Sequence, residues 1–279
     1  MLTVTKKIKI REQQTDEAIR IGNLFNLSNV TSRVVAARGF KADDDLKLFL
    51  NPSLREGLPQ PDKLKNLDRA CELIGSVIRS GGKIAVACDF DVDGLSGGSQ
   101  LKALFDELNV DTKVFVPDRF EDGYGLNLNM IDQIAQEGYN LLITVDFGTT
   151  NKVEICKAKQ LGLKTIVVDH HHVGDHNPEA DVFINPHQSG CGFGNSILSA
   201  SGLAWYLVAG IKVYLPEASN VDPKAYLDLA CLGTICDMVP LIGINRIIAK
   251  RGLEVLSKTK RPGFVALKRV VGAKDPLSC

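Results

Sequence analysis

The stretch CDFDVDG, Cys88 to Gly94, sets three aspartates on alternate positions and closes on a glycine. Alternate side chains of an extended segment project to one face, so Asp89, Asp91 and Asp93 are expected to converge on a cation. A D-x-D-x-D-G string also opens a calcium-binding EF-hand loop, which needs a bidentate glutamate at its twelfth position. Counted from Asp89 that position is Gln100, a neutral amide, and the preceding KIAVA reads as a buried strand, not an entering helix. The calcium loop is set aside on both counts. A solvated acidic turn would leave like charges uncompensated, and it does not account for the other acidic groups along the chain.

Those groups recur at matching places. Asp146 follows NLLITV, Asp169 with His170 and His171 follows KTIVV, and Asp237 interrupts the apolar LGTICDMVPL between Gly233 and Pro240. Hard oxygen donors suit Mg2+ or Mn2+, and an imidazole from His170 tilts the choice toward Mn2+. Two such cations side by side would clamp an in-line attack of water on a phosphate. Asp146, alone at its strand end, is the candidate to bridge them. Asp169 is expected to hold the second nitrogen of a metal-bound histidine. Asp237, costly if buried without a partner, is expected to face a cation or a hydrogen-bond network. Gly94 and Gly148 are expected to turn the backbone away from the ions. His172, His176 and His187 are read as structural or surface residues.

The elements that must position these groups follow a βαβ rhythm. Strands are expected at KIAVAC (83–88), TKVFVP (112–117), NLLITV (140–145), KTIVV (164–168) and DVFIN (181–185), with helices at LSGGSQLKALFDEL, NLNMIDQIAQEG and NKVEICKAKQLG. The predicted fold is α/β, an open, mostly parallel sheet with helices on both faces, followed by further helices. Such sheets bind ligands beyond the carboxyl ends of their strands, where the acidic and imidazole groups gather. Residues 1–82 read as an N-terminal extension packed on the catalytic domain, 83–257 as that domain, and the basic segment from 258 to 279 as the start of a linker.

Composition excludes little. Hydrophobic residues at 44% and a balance of 33 Lys and Arg against 33 Asp and Glu describe a soluble globular protein with no net charge to attract a polyanion. The seven cysteines form no C-x-x-C pair, which argues against a thiolate zinc site and for reduced thiols in a cytoplasm. MLTVTKKIKI has no apolar export core, and GLAWYLVAGIKVYL is broken by Lys212 and too short to span a bilayer.

CDFDVDG, VDFGTT, VDHHH and LGTICDMVPL, in this order, resemble the four motifs of the DHH phosphoesterase superfamily. ARGF with DLKLFLNPSL, PDRFEDGYGL and INPHQSGCGFGNSILSASGLAWYLV resemble its RecJ-like branch, the single-strand-specific 5′ to 3′ exonucleases of DNA repair and recombination. The resemblance runs from about residue 30 to about residue 275. It implies that Asp91, Asp93, Asp146, His170 and Asp237 are metal ligands, and that Asp89 is a ligand or a near neighbour. It implies further that His171 touches the phosphate or assists the chemistry. Arg119 is a candidate phosphate clamp, with a surface salt bridge as the alternative. Cys88 stands where the family commonly has glycine, Phe147 occupies a variable position, and His172 extends the histidine pair. RecJ-like enzymes continue into a DHHA1 domain and a nucleic-acid-binding domain. Neither motif set is seen here, so a catalytic half that acts with a second domain or a repair partner is expected. The alternatives are a DHH-family phosphatase or oligonucleotidase on small phosphate compounds, and a non-catalytic scaffold.

Overall fold

The apolar runs pair as one five-stranded sheet in a computed structural model that describes residues 15–120, 123, 125–174, 177–193 and 197–277. Several expectations lie outside the described residues: Glu121, Asp122 and Tyr124 of the PDRFEDGYGL segment, His176, residues 194–196, the start MLTVTKKIKI and Cys279.

The chain divides into two units, residues 1–57 and 58–279. In the first, four short helices, α1 (Thr15–Phe25), α2 (Asn29–Ala37), α3 (Asp44–Leu50) and α4 (Leu54–Gly57), follow one another. Ser28 and Asp43 cap α2 and α3 by accepting a backbone N–H, which satisfies an otherwise orphaned donor. Ala18, Ile21, Val35, Ala36 and Leu46 form the core of this unit.

The second unit begins with α5 (Leu67–Arg79) and continues β1 (Ile84–Cys88), α6 (Val92–Glu107), β2 (Thr112–Phe115), α7 (Leu128–Gln136), β3 (Leu141–Val145), α8 (Lys152–Gln160), β4 (Lys164–Val168) and β5 (Val182–Ile184). Then come α9 (Ala200–Tyr214), α10 (Leu227–Cys236), α11 (Gly243–Ser257) and α12 (Pro262–Val270). α5 packs on α9 and β5, so it lies with the sheet, and the break falls after Gly57 instead of residue 82. Every strand pair is parallel, in the order β2-β1-β3-β4-β5. Continuous burial along β1 and β3 shows why these strands read as unbroken apolar runs. Ala85, Ala87, Leu142 and Val167 meet Met130, Ile131 and Ile134 of α7 and Ile155 and Ala158 of α8 on one face. α6 and α9 pack on the sheet as well, and α10 packs against α6, α9 and α11.

Two local readings change. α6 starts at Val92, not at Leu95, because the Asp91 carboxylate accepts the N–H groups of Asp93 and Gly94 and caps the helix. Within the basic segment expected to begin a linker, Pro262–Val270 form a helix, α12, opened by Pro262 in the first turn, where a missing N–H costs nothing. Its basic residues are partly committed. Arg261 Nε donates to the buried Asp228 carboxylate at 3.0 Å, and Lys268 Nζ pairs with Asp275 at 2.7 Å. No helix among the described residues is long and apolar enough to cross a membrane.

Candidate metal centre

Strand register builds the site. Cys88 pairs with Val145, Val145 with Val168, and Val168 with Ile184, so the next residues, Asp89, Asp146, Asp169 and Asn185, stand in one row at the carboxyl edge. The ladder runs one step further through this row: Asp89 N–H donates to Val145, Asp146 N–H to Val168, and Asp169 N–H to Ile184. The order places β1 beside β3 while the chain leaves β1 for β2 first, which makes the gap between Asp89 and Asp146 a switch point. Asp146 has φ +69°, a left-handed conformation unusual for a non-glycine residue and common where function holds the backbone. Gly148 follows at φ +119° and supplies the expected turn. Gly94 does not turn the chain. It lies inside α6, where a Cβ would sit 2.6 Å from the Asp89 carbonyl.

The donors form overlapping groups: Asp89 with Asp91 and Asp146; Asp93 with His170 and Asp237; and Asp146 with His170 and His171. The three aspartates of CDFDVDG are therefore gathered, but not on one extended face as expected. Asp89 ends the strand, Asp91 caps α6, and Asp93 lies in its first turn, so Asp91 and Asp93 reach different groups. Asp146 belongs to two groups, and its Oδ1 stands 3.2 Å from His170 Nε2. Asp93, 1% exposed, accepts the N–H of Ala200 at 2.6 Å and of Ser201 at 2.9 Å, tying α6 to the start of α9. Asp237 is half-buried and forms the C-cap of α10, where a carboxylate faces the negative helix end and a cation relieves it.

Asp169 serves His171, not His170. Its Oδ1 lies 2.7 Å from His171 Nδ1 and accepts the N–H of both histidines, while Oδ2 accepts Thr149 N–H. Thr149 and Asn185 escaped the sequence reading. Asn185 stood at the end of DVFIN, and the strand-end rule that singled out the aspartates would have found it. Arg119 is exposed, with its guanidinium carbon 5.3 Å from the Phe90 ring centroid, and it forms no ion pair among the described residues. Cys88 is buried against Gly98 of α6, and burial pushes its thiol up to about 12, so it is inert.

Electrostatics fit a cation. Burial drives the Asp146 carboxyl up to about 7 against the opposing pull of His170, and nearby Asp93 adds to the rise. Burial also raises Asp89 and Asp237 above the ordinary carboxylate range. Burial disfavours charge on His170, yet Asp146, Asp93 and Asp237 overcome it and hold the imidazole up to about 9. Without metal, that proton is the positive charge among the carboxylates. Five carboxylates and two imidazoles make an oxygen-rich donor set that suits Mn2+ or Mg2+. A cation that takes His170 displaces its proton, so Mn2+ affinity is expected to rise about tenfold per pH unit between about 7 and 9. Calorimetry across that range checks this; a flat profile would remove His170 from the ligand set. His170 itself supports the metal-free fold fully below 6.5, and that support is lost as pH rises through about 9.

Gly233 backs the site from α10. A Cβ there would lie 2.6 Å from Asp93 Oδ1 and closer still to Ser201 Oγ. Gly233→Ala is expected to cost about 1–3 kcal/mol by overpacking and to weaken Mn2+ binding, both read from melting curves with and without Mn2+. An unshifted curve in each condition would refute the contact.

The family model described as the DHH family, N-terminal domain, matches residues 83–234. The chain belongs to the DHH family. The single-stranded-DNA-specific exonuclease RecJ of Salmonella typhimurium is 34% identical over 278 residues, covering 96% of this chain and 47% of the relative. A crystal structure of exonuclease RecJ bound to manganese matches with a TM-score of 0.69 and 32% identity, over 78% of this chain and 54% of that one. RecJ from Thermus thermophilus in complex with Mn2+ matches with a TM-score of 0.77 and 28% identity, over 93% and 36%. The chain thus spans about half or less of the length of these relatives. Its DHH motifs, its parallel sheet and the strand-end donors agree with that membership.

Proposed function

We propose that this chain is the catalytic half of a RecJ-like, metal-dependent phosphodiester hydrolase that removes nucleotides from single-stranded DNA in the 5′ to 3′ direction during repair or recombination. The observation that carries the reading is Asp146, shared between donor groups that meet at the sheet edge. Similarity to RecJ proteins with Mn2+ supports the metal and the substrate class. Asp89, Asp91 and Asp146 would hold one divalent cation, and Asp93, His170 and Asp237 a second. Bound there, Mn2+ or Mg2+ supplies hydroxide at neutral pH and offsets charge on the phosphoryl oxygens.

The chain's own groups do the rest. Asp169 holds His171 Nδ1 and raises its proton affinity, and the imidazolium would donate to a phosphate oxygen. Arg119 would clamp a phosphate in bidentate fashion. A strand-gripping second domain or a repair protein completes the path, a reading supported by the greater length of the relatives. Six described cysteines are in no disulfide, which supports a reducing setting.

Incubation of the purified chain with Mn2+ and 5′-labelled single-stranded DNA, beside Asp91→Ala, tests the proposal by release of mononucleotides. Equal cleavage by both proteins would sink the metal centre. Turnover of small bisphosphates or pyrophosphate with DNA untouched would move the substrate class, and Mn2+ binding with no cleavage of either would favour a scaffold.

A further inference from the structure

Asn185 stands in the strand-end row beside Asp169, fully buried, yet lies outside the three donor groups found among the described residues. A buried amide must find partners for two N–H bonds and one oxygen. Asn185 finds all of them on neighbouring loops: Nδ2 donates to the His171 carbonyl at 2.8 Å and to Thr149 Oγ1 at 3.1 Å, and Oδ1 accepts His187 N–H at 2.8 Å. Its own carbonyl accepts Gln188 Nε2 at 3.1 Å, which anchors the amide. Thr149 carries the hold onward. Its hydroxyl and its N–H both bond the Asp169 carboxylate, and Asp169 Oδ1 lies 2.7 Å from His171 Nδ1. The hydrogen bonds therefore close a ring. One branch from Asn185 reaches the His171 carbonyl, and the other runs through Thr149 and Asp169 to its imidazole. Members of the ring come from the segments that follow β3, β4 and β5.

We infer that Asn185 is the positioning residue for His171, holding its backbone and its ring at once so that the imidazole meets a phosphate in a fixed orientation. Thr149 is the relay between Asn185 and the ring. Packing alone does not call for an amide at this place, because an apolar side chain fills buried space with no polar partners to satisfy. The consequence for turnover rests on the hydrolase proposal; the hold on the ring does not.

Asn185→Leu and Thr149→Val each break the ring, whereas Thr149→Ser keeps the hydroxyl. In Mn2+-dependent release of mononucleotides from single-stranded DNA, the first two should lower kcat at least about tenfold, since a misplacement of about 1 Å can cost about a hundredfold. KM and the Mn2+ affinity read by calorimetry should stay within about threefold, and Thr149→Ser should behave as the wild type. In a His171→Ala background, Asn185→Leu should cost no more than about twofold further. A second readout needs no turnover. The His171 Nδ1 proton, assigned by its loss in His171→Ala, should give a low-field NMR signal in the wild type and in Thr149→Ser, and vanish in Asn185→Leu and Thr149→Val. A signal unchanged in both of these variants, a full further loss of kcat in the His171→Ala background, or Mn2+ affinity falling in step with kcat would overturn the assignment. A wild type without turnover would count against the hydrolase proposal alone, and the proton signal would then decide the positioning.

Discussion

Asp146→Asn is expected to abolish Mn2+ uptake at the carboxylate centre and to lower metal-dependent hydrolysis by at least about a hundredfold, while the protein stays folded. Substitution of groups that only support a ligand already costs about 10–100-fold, and Asp146 belongs to two of the donor groups at once. The fold should survive because asparagine, like aspartate, tolerates the left-handed backbone at φ +69°. Asp146→Ala adds a conformational cost of about 1 kcal/mol or more at that backbone, so comparing the two variants separates chemistry from strain. Asp146 also holds the His170 proton at a distance of 3.2 Å. In Asp146→Asn the His170 titration, followed by NMR, should therefore move down from about 9. Wild-type Mn2+ affinity in Asp146→Asn would remove Asp146 from the centre.

The second large effect is expected from Asp169→Asn, which should lower stability and activity together. Burial opposes charge on this carboxylate, but the hydrogen bond from His171 and those from Thr149 hold it down to about 2. Relative to the ordinary 3.8, that depression contributes about 2 kcal/mol. The contribution is fully present above the unfolded value near 4 and is lost as pH falls through about 2. An amide offers one acceptor oxygen where Asp169 uses two, so one of Thr149 N–H and His171 loses its partner. Denaturant unfolding at pH 7 and at pH 3 should show the variant's deficit shrinking toward acid. Activity should fall about 10–100-fold as His171 loses its orientation. A variant as stable as the wild type at pH 7 would contradict the hydrogen-bond geometry.

The parts of the fold legible in sequence were those written in continuous apolar runs. KIAVAC, NLLITV and KTIVV could be read because strands buried on both faces need no alternation, and their ends pointed to Asp89, Asp146 and Asp169. The start of α6 was hidden because D-V-D-G has the composition of a turn, and only the capping bond from Asp91 shows it to be a helix start. The sequence left open which histidine Asp169 holds, because His170 and His171 are neighbours, and only the ring geometry tells which one it is. The boundary was placed at 82 because polar α5 resembles the extension before it. Its buried stripe, Leu67, Ala70, Cys71 and Ile74, is what joins it to the sheet-bearing unit. The role of Arg261 was not legible because its buried partner, Asp228, lies 33 residues earlier.

The bonds from Asp93 to the start of α9 also bear on the order in which the molecule assembles. Asp89, Asp146 and His170 can gather once β1, β3 and β4 have paired, but Ala200 N–H lies 107 residues from Asp93 along the chain. Closing so long a loop comes at an entropic cost that early, local contacts do not incur. The half of the centre containing Asp93 and Asp237 is therefore completed only when α9 and α10 dock. A cation that grips this half is expected to stabilise contacts that form after the folding transition state. It should slow unfolding and leave the refolding rate nearly unchanged, so the metal acts as a lock on the finished chain and not as a seed for it.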